Sequence, residues 1–208
     1  MRKLTPELLD HLPHDDPGAI RSRDDLRRIN RFMGNEAWIL GNLNPNSTHI
    51  TEIGAGDGHL LSIIHVLQPQ AKLTAYDLAP RPDDLPDAIE WIQTDIFENP
   101  PNQTHGVLIA NLILHHFSDT QLTHLRSWIR EFDTIITNEP LRSPIPTFLG
   151  KLAYPFIHPI TRHDMRVSIE AGFVSDELPK LLQLDTNGFE IRETSTWRGA
   201  QRMLAFRR

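Results

Sequence analysis

Two rhythms of apolar and polar positions share this chain. Short apolar runs bounded by glycine, proline or acidic residues recur from residue 48 onward, separated by stretches with apolar side chains every third or fourth position. Taken in order, Thr48 to Ile53 reads as a strand and His59 to about Leu67 as a helix. Lys72 to Asp77 reads as a second strand and Ile89 to Gln93 as a third. Gly106 to Asn111, extended by Leu112, Ile113 and Leu114, makes a fourth. A helix capped by Ser118 or Asp119 then runs to about Phe132, and Asp133 to Asn138 is the fifth strand. Strands alternating with helices so regularly predict an α/β domain with a doubly wound, mostly parallel sheet and helices on both faces.

The ends of the chain depart from that rhythm. Residues 1 to about 20 hold three prolines with no sustained period and read as an irregular arm. Ser22 can cap a helix whose first turn carries Asp24 and Asp25, and Leu26, Ile29, Phe32 and Met33 form its apolar stripe, expected to pack on the domain. Residues 1–45 are therefore expected to form a helical arm or cover, and residues 46–208 the main domain. Residues 141–160 hold four prolines and many apolar side chains, which predicts an ordered insertion. Thr161 is expected to open a helix stopped by Gly172, and a further helical piece spans about Asp176 to Leu184. Gly188 to Thr196 and Ala200 to Phe206 are strand-like and joined by a short Trp197-Arg198-Gly199 connection.

Length and composition narrow the class. The 208 residues suffice for one α/β domain with a full core. Net charge is −6, which argues against a nucleic-acid partner. Cysteine is absent, so disulfides and thiolate metal sites are excluded, and His11, His14, His158 and His163 lack metal-ligand spacing; no metal is expected. No apolar run is long enough to span a bilayer and the start lacks an apolar signal core, so the expected location is the cytoplasm.

The chemistry concentrates at Glu52-Ile53-Gly54-Ala55-Gly56-Asp57-Gly58, between the first strand and the first helix. Gly54 can turn the chain off the strand with φ > 0, Gly56 offers bare backbone to a ligand, and Gly58 lets the helix start close to the sheet. A dinucleotide fingerprint would need glycine where this chain has His59, which disfavours a nicotinamide-linked reductase. The Glu-x-Gly-x-Gly-x-Gly pattern instead resembles motif I of the class I S-adenosylmethionine (SAM)-dependent methyltransferases, of small-molecule type, and the resemblance covers about residues 46 to 208. Asp77 follows Gly58 at close to the ~20 residues expected of a ribose-binding acid. The resemblance implies a seven-stranded sheet with an antiparallel last strand. It also implies SAM as cofactor, held by Glu52, Gly54, Ala55, Gly56, Gly58, Asp77, Leu78, Asp95, Ile96 and Asn111.

The run Leu114-His115-His116-Phe117-Ser118-Asp119 resembles the His-Asp-Trp-Ser-Asp segment of plant-type small-molecule O-methyltransferases. That likeness implies His115 as general base, with Glu139 orienting it, although this chain has His116 where those enzymes carry aspartate. A histidine that merely lines the pocket is the competing reading. His116, Phe148, Tyr154, Phe156 and His163 are the expected substrate-binding residues, with the insertion forming a wall or lid. The expected activity is methyl transfer to a small, rather apolar acceptor, phenolic or polyketide-like, at oxygen. N- or C-methylation of a small metabolite and a non-catalytic SAM-binding partner protein are the alternatives. The chain is expected as a monomer or homodimer. The Asp/Asn-Pro-Pro-aromatic turn of amine-directed nucleic-acid methyltransferases is absent after the fourth strand, where the chain reads Asn111-Leu112-Ile113-Leu114.

Overall fold

The computed structural model describes residues 1–13, 15–102, 104–184 and 188–208; His14 lies outside the described residues. Its seven-stranded sheet has the order β3-β2-β1-β4-β5-β7-β6. The strands are β1 (His49–Ile53), β2 (Lys72–Asp77), β3 (Ile89–Gln93), β4 (Val107–Asn111), β5 (Thr134–Pro140), β6 (Phe189–Ser195) and β7 (Ala200–Arg207). The first five are parallel, and β7 is antiparallel to both β5 and β6. Strand order reverses direction between β1 and β4, the point where open α/β sheets bind ligands beyond the strands' carboxyl ends.

Period-two alternation sorts the strand side chains onto two faces. Leu108 and Ala110 of β4 face a core completed by Leu122, Leu125 and Ile129 of α4 (Asp119–Ile129) and Leu178 of α7 (Glu177–Leu181). Val107 and Ile109 face the opposite core, built on Leu60, Leu61 and Ile64 of α3 (His59–Leu67) and Ile39 of α2 (Asn35–Asn42). Each fully buried Leu or Ile contributes ~1.5–3 kcal/mol, so the helical layers on both faces stabilise the sheet between them.

The structure corrects the expected ends of three elements and fills in the insertion. Helix α1 runs Pro17–Met33 and is capped by Asp16, whose Oδ1 accepts from the amides of Gly18 and Ala19 at 2.8 and 2.9 Å. Proline at the first helical position and aspartate before it are the stronger start signal, and Ser22 lies inside the helix, buried. Strand β4 stops at Asn111 because Leu112 takes a left-handed conformation, φ 58°. The 141–160 insertion contains helix α5 (Pro144–Ala153) and a 3-10 turn (Tyr154–Phe156). The following helix α6 (Pro159–Ala171) starts at Pro159 with His158 as its cap, two residues before the expected Thr161.

The amino-terminal residues are tied into the domain rather than loose. The Arg2 guanidinium is buried over the Phe173 ring and donates to Asp119 Oδ1 and to the carbonyls of Ala171, His115 and Phe117. Asp164 of α6 is fully buried and accepts from the amides of Leu8 and Leu9. A buried charge is tolerated when its hydrogen bonds are filled in this way. The expected irregular arm is thus an ordered strap laid across α6, and α1 continues along the same helix.

Candidate active site

The glycine turn after β1 has positive φ at all three positions, 66°, 61° and 69° for Gly54, Gly56 and Gly58. Their reasons differ. A Cβ on Gly54 would meet Ile113 at 2.5 Å, and one on Gly58 would meet Leu85 at 2.4 Å. Gly58 therefore makes room for the loop after β2 as well as for the start of α3. A Cβ on Gly56 would meet nothing within 4 Å, so this bare backbone faces open space. Asp77, at the end of β2, accepts from the Gly56 amide and from the Ala79 amide, both at 2.8 Å, and so ties the turn to its neighbouring strand.

The remaining residues expected around the cofactor spread along the same sheet edge. Glu52 is buried in β1, and its Oε2 finds no hydrogen-bond partner among the described residues. Burial, reinforced by the charges of Glu36, Asp57 and Asp77, pushes its carboxyl well above the usual range. Asp95 accepts from the Phe97 amide, and Ile96 is buried in the core. Ala55 is buried, and the Leu78 side chain is exposed. Asn111 Oδ1 accepts from Asn138 Nδ2 at 3.0 Å across the β4–β5 pair.

Beyond β4 the strained Leu112 leads into a 3-10 turn, Leu114–His116. Glu139 of β5, fully buried, organises that turn. Its Oε1 accepts from the amides of Ile113 and Leu114, and its Oε2 from the amide of His115. Oε2 also lies 2.8 Å from His115 Nδ1, so the imidazole donates there and Nε2 points away. Nε2 meets a residue that sequence reasoning passed over: Glu7 Oε1 of the amino-terminal strap stands 3.7 Å away, and 4.0 Å from His116 Nε2. Burial alone would lower the His115 pKa, but Glu139 and Glu7 outweigh it and raise it to about 9. Burial and the neighbouring His115 lower that of His116.

Two cavities meet at these side chains. One of about 340 Å³ is walled by Leu26, Ile29 and Met33 of α1 and by Leu149 and Ala153 of α5, with Glu7, His115 and His116 at its polar end. The other, about 290 Å³, lies on the far side of Glu7 and adds Asp10 and Thr5. The α1 stripe, expected to pack on the domain, thus also lines a cavity. The insertion contributes Pro146, Leu149, Gly150 and Ala153, whereas Phe148, Tyr154 and Phe156 are absent from the lining. Phe148 and Phe156 are exposed, and Tyr154 lies under the Arg162 guanidinium. His163 lines neither cavity and is held by Asp164 at 3.1 Å. Of the five residues expected to bind the acceptor, only His116 lines these cavities.

No protein-family model matches the chain. Among curated proteins it is similar to the malonyl-[acyl-carrier protein] O-methyltransferase of Anoxybacillus flavithermus, 37% identical over 77 residues. That match spans 33% of this chain and 29% of the relative. Among solved structures, the plantazolicin methyltransferase BamL, in complex with a triazolic desmethylPZN analog and SAH, superposes with a TM-score of 0.74 at 10% identity, over 96% of this chain and 92% of that one. The plantazolicin methyltransferase BpumL, with the same class of analog and SAH, gives 0.72 at 14%, covering 92% of both chains. Human N-acetylserotonin methyltransferase in complex with SAM gives 0.61 at 18%, over 95% of this chain but 61% of the human one. The fold is that of the class I SAM-dependent methyltransferases. No helix among the described residues is long and apolar enough to cross a membrane.

Proposed function

We propose that this protein is a SAM-dependent methyltransferase that methylates a small, rather apolar acceptor, phenolic or polyketide-like, at oxygen. The observation that carries the reading is a ligand-ready glycine edge, where Gly54 packs against Ile113, next in sequence to Leu112 in the wall of a mainly apolar cavity that Glu7, His115 and His116 also line. Gly56 leaves its backbone open to a ligand, Glu52 presents a buried, unpartnered oxygen, and Asp77 stands at the neighbouring strand end. An orphaned buried oxygen costs ~1–3 kcal/mol unless something donates to it, so this edge fits a ligand with an amino group and ribose hydroxyls. When bound there, SAM supplies a methyl group already activated on a sulfonium.

The chain's own part is to align the acceptor and handle the proton of its hydroxyl. Alignment of this kind can contribute ~7–11 kcal/mol to a methyl transfer. The cavity of about 340 Å³ is lined mainly by aliphatic side chains of α1 and α5, a lining that suits a ring system over a sugar or a charged metabolite. His115 is the activating group for the hydroxyl, and Glu139 is the residue that fixes its ring. Helices α1 and α2 with the amino-terminal strap act as the cover of the main domain.

The test is to incubate the purified protein with methyl-labelled SAM and a panel of phenols and hydroxylated polyketide-like rings. Label appearing on oxygen of at least one acceptor, and failing to appear with sugars, supports the reading. SAM binding with no transfer to any acceptor would leave a non-catalytic SAM-binding protein, and label on nitrogen or carbon would displace the assignment to oxygen.

A further inference from the structure

We propose that Glu7, His115 and His116 form a binding site for one first-row divalent cation at the polar end of the acceptor cavity. One donor atom from each residue lies within 4.8 Å of the other two. Glu7 Oε1 stands 3.7 and 4.0 Å from the two imidazole Nε2 atoms, too long for hydrogen bonds between them. A point equidistant from three atoms so spaced lies no more than ~2.5 Å from each, and a contraction of a few tenths of an ångström reaches the ~2.0–2.2 Å of zinc–nitrogen and zinc–oxygen bonds.

Three further features fit a cation. His115 gives its Nδ1–H to the buried Glu139, the carboxylate behind an imidazole that fixes ligand histidines elsewhere and leaves Nε2 free to coordinate. All three residues line both cavities, so the remaining coordination positions open towards acceptor on one side and water on the other. Three protein ligands with an open position is the pattern of catalytic rather than structural zinc. Charge also favours it, because Glu7, Glu139 and Asp10 bring three carboxylates to the two imidazoles. Two imidazoles and one carboxylate select a transition ion over calcium or magnesium, which prefer all-oxygen shells.

The consequence rests on the proposed methyl transfer. A cation held there would act as a Lewis acid: an acceptor oxygen bound to it would release its proton more readily, to water in the adjoining cavity, and His115 would hold the cation instead of taking the proton itself. Acceptors with two adjacent oxygens, such as a catechol or a hydroxy-ketone, would then be preferred over isolated phenols. The cation also explains what the strap is for: Arg2 and Asp164 anchor the chain on both sides of Glu7 and bring the third ligand to the histidine pair.

The site is tested without SAM or turnover, so its failure leaves the methyl-transfer reading standing. Tag-free protein is stripped with a chelator, dialysed, and titrated calorimetrically with zinc chloride. The expected result is one site per chain, at least ~100-fold weaker in both His116→Ala and Glu7→Gln, and ~10–100-fold weaker in Glu139→Gln, as for other lost partners behind a ligand. Circular dichroism confirms that each variant is folded, and the Glu7→Gln result decides should His116→Ala unfold. Absence of binding to the wild type, or a stoichiometric site that survives in a folded His116→Ala or Glu7→Gln variant, overturns the proposal.

Discussion

The glycine edge and the cavity proposed as the acceptor end both form beyond the carboxyl ends of the strands, yet they are built by opposite means. The glycine edge is mostly backbone. Its parts come from two consecutive β-strand ends, and the Asp77–Gly56 hydrogen bond joins positions of one βαβ unit. The acceptor end is mostly side chains from far apart in the sequence: Glu7 from the strap, Leu26 and Ile29 from α1, His115 after β4, Leu149 from α5. A contiguous, backbone-made site is set by local conformation, whereas a site collected from four distant segments exists only once the whole chain has folded.

That contrast can be broken by mutation, and the two largest effects fall one in each region. His115→Ala is expected to lower the methylation rate by ~10²–10⁴-fold, the span of one lost hydroxyl-activating group, while calorimetry shows SAM affinity within a factor of about two. A parallel loss of SAM affinity would merge the two regions into one. Asp77→Ala is expected to do the reverse, weakening SAM by ~10²–10⁴-fold through two lost charged hydrogen bonds and leaving acceptor KM unchanged at saturating cofactor. Unaltered SAM affinity in the folded variant would remove Asp77 from the cofactor edge.

A smaller effect sharpens the acceptor end itself. Leu149→Gln places an amide in the apolar wall and is expected to raise acceptor KM about tenfold, whereas Phe148→Ser on the outer face stays within about twofold. Equal responses would mean that the assignment of faces on α5 is wrong. The smallest effect is one of stability. Because burial raises the Glu52 carboxyl well above its usual range, the protonated form is favoured in the folded state. That stability is fully present at acid pH and is lost as pH rises from the ordinary carboxylate range towards the raised value. Glu52→Gln is expected to flatten this decline in thermal melts of the cofactor-free protein; an unchanged pH slope would assign the decline to other groups.

The glycine edge was legible in the sequence because its signals are local. Three glycines after a strand, and an acid at the end of the next strand, are constraints that a few neighbouring residues impose on the backbone. The five parallel strands and the helices between them were legible for the same reason. Helix α5 shows where legibility ends. Pro146, Leu149, Gly150 and Ala153 recur at helical spacing on one face and line the cavity, while Ile145, Phe148 and Leu152 recur on another and are exposed. Both faces are apolar, so periodicity alone could not choose between them, and the larger aromatic side chains drew the expectation to the face that lies outside the cavity lining.

The strap shows the same limit more strongly. Arg2 and Glu7 sit in a stretch with no period, and their partners Asp119, His115 and Ser168 lie more than a hundred residues away. A signal existed in the chain start, where an arginine and a glutamate stand among leucines and prolines, but nothing local says that such charges will be buried. The α1 stripe was read as core for a related reason: a helical face that covers a cavity and one that covers a core carry the same pattern.

The central claim is that the open backbone at Gly56 is the seat of SAM, and calorimetric titration tests it most directly. Wild-type protein is titrated with SAM and, separately, with NADH, and the SAM titration is repeated on Gly56→Val after circular dichroism confirms its fold. The account predicts one SAM per chain, no heat with NADH, and loss of SAM binding in the variant, because a branched side chain fills the space that the backbone leaves open. Wild-type protein that fails to bind SAM, or a folded Gly56→Val variant that binds it as well as wild type does, would contradict the claim.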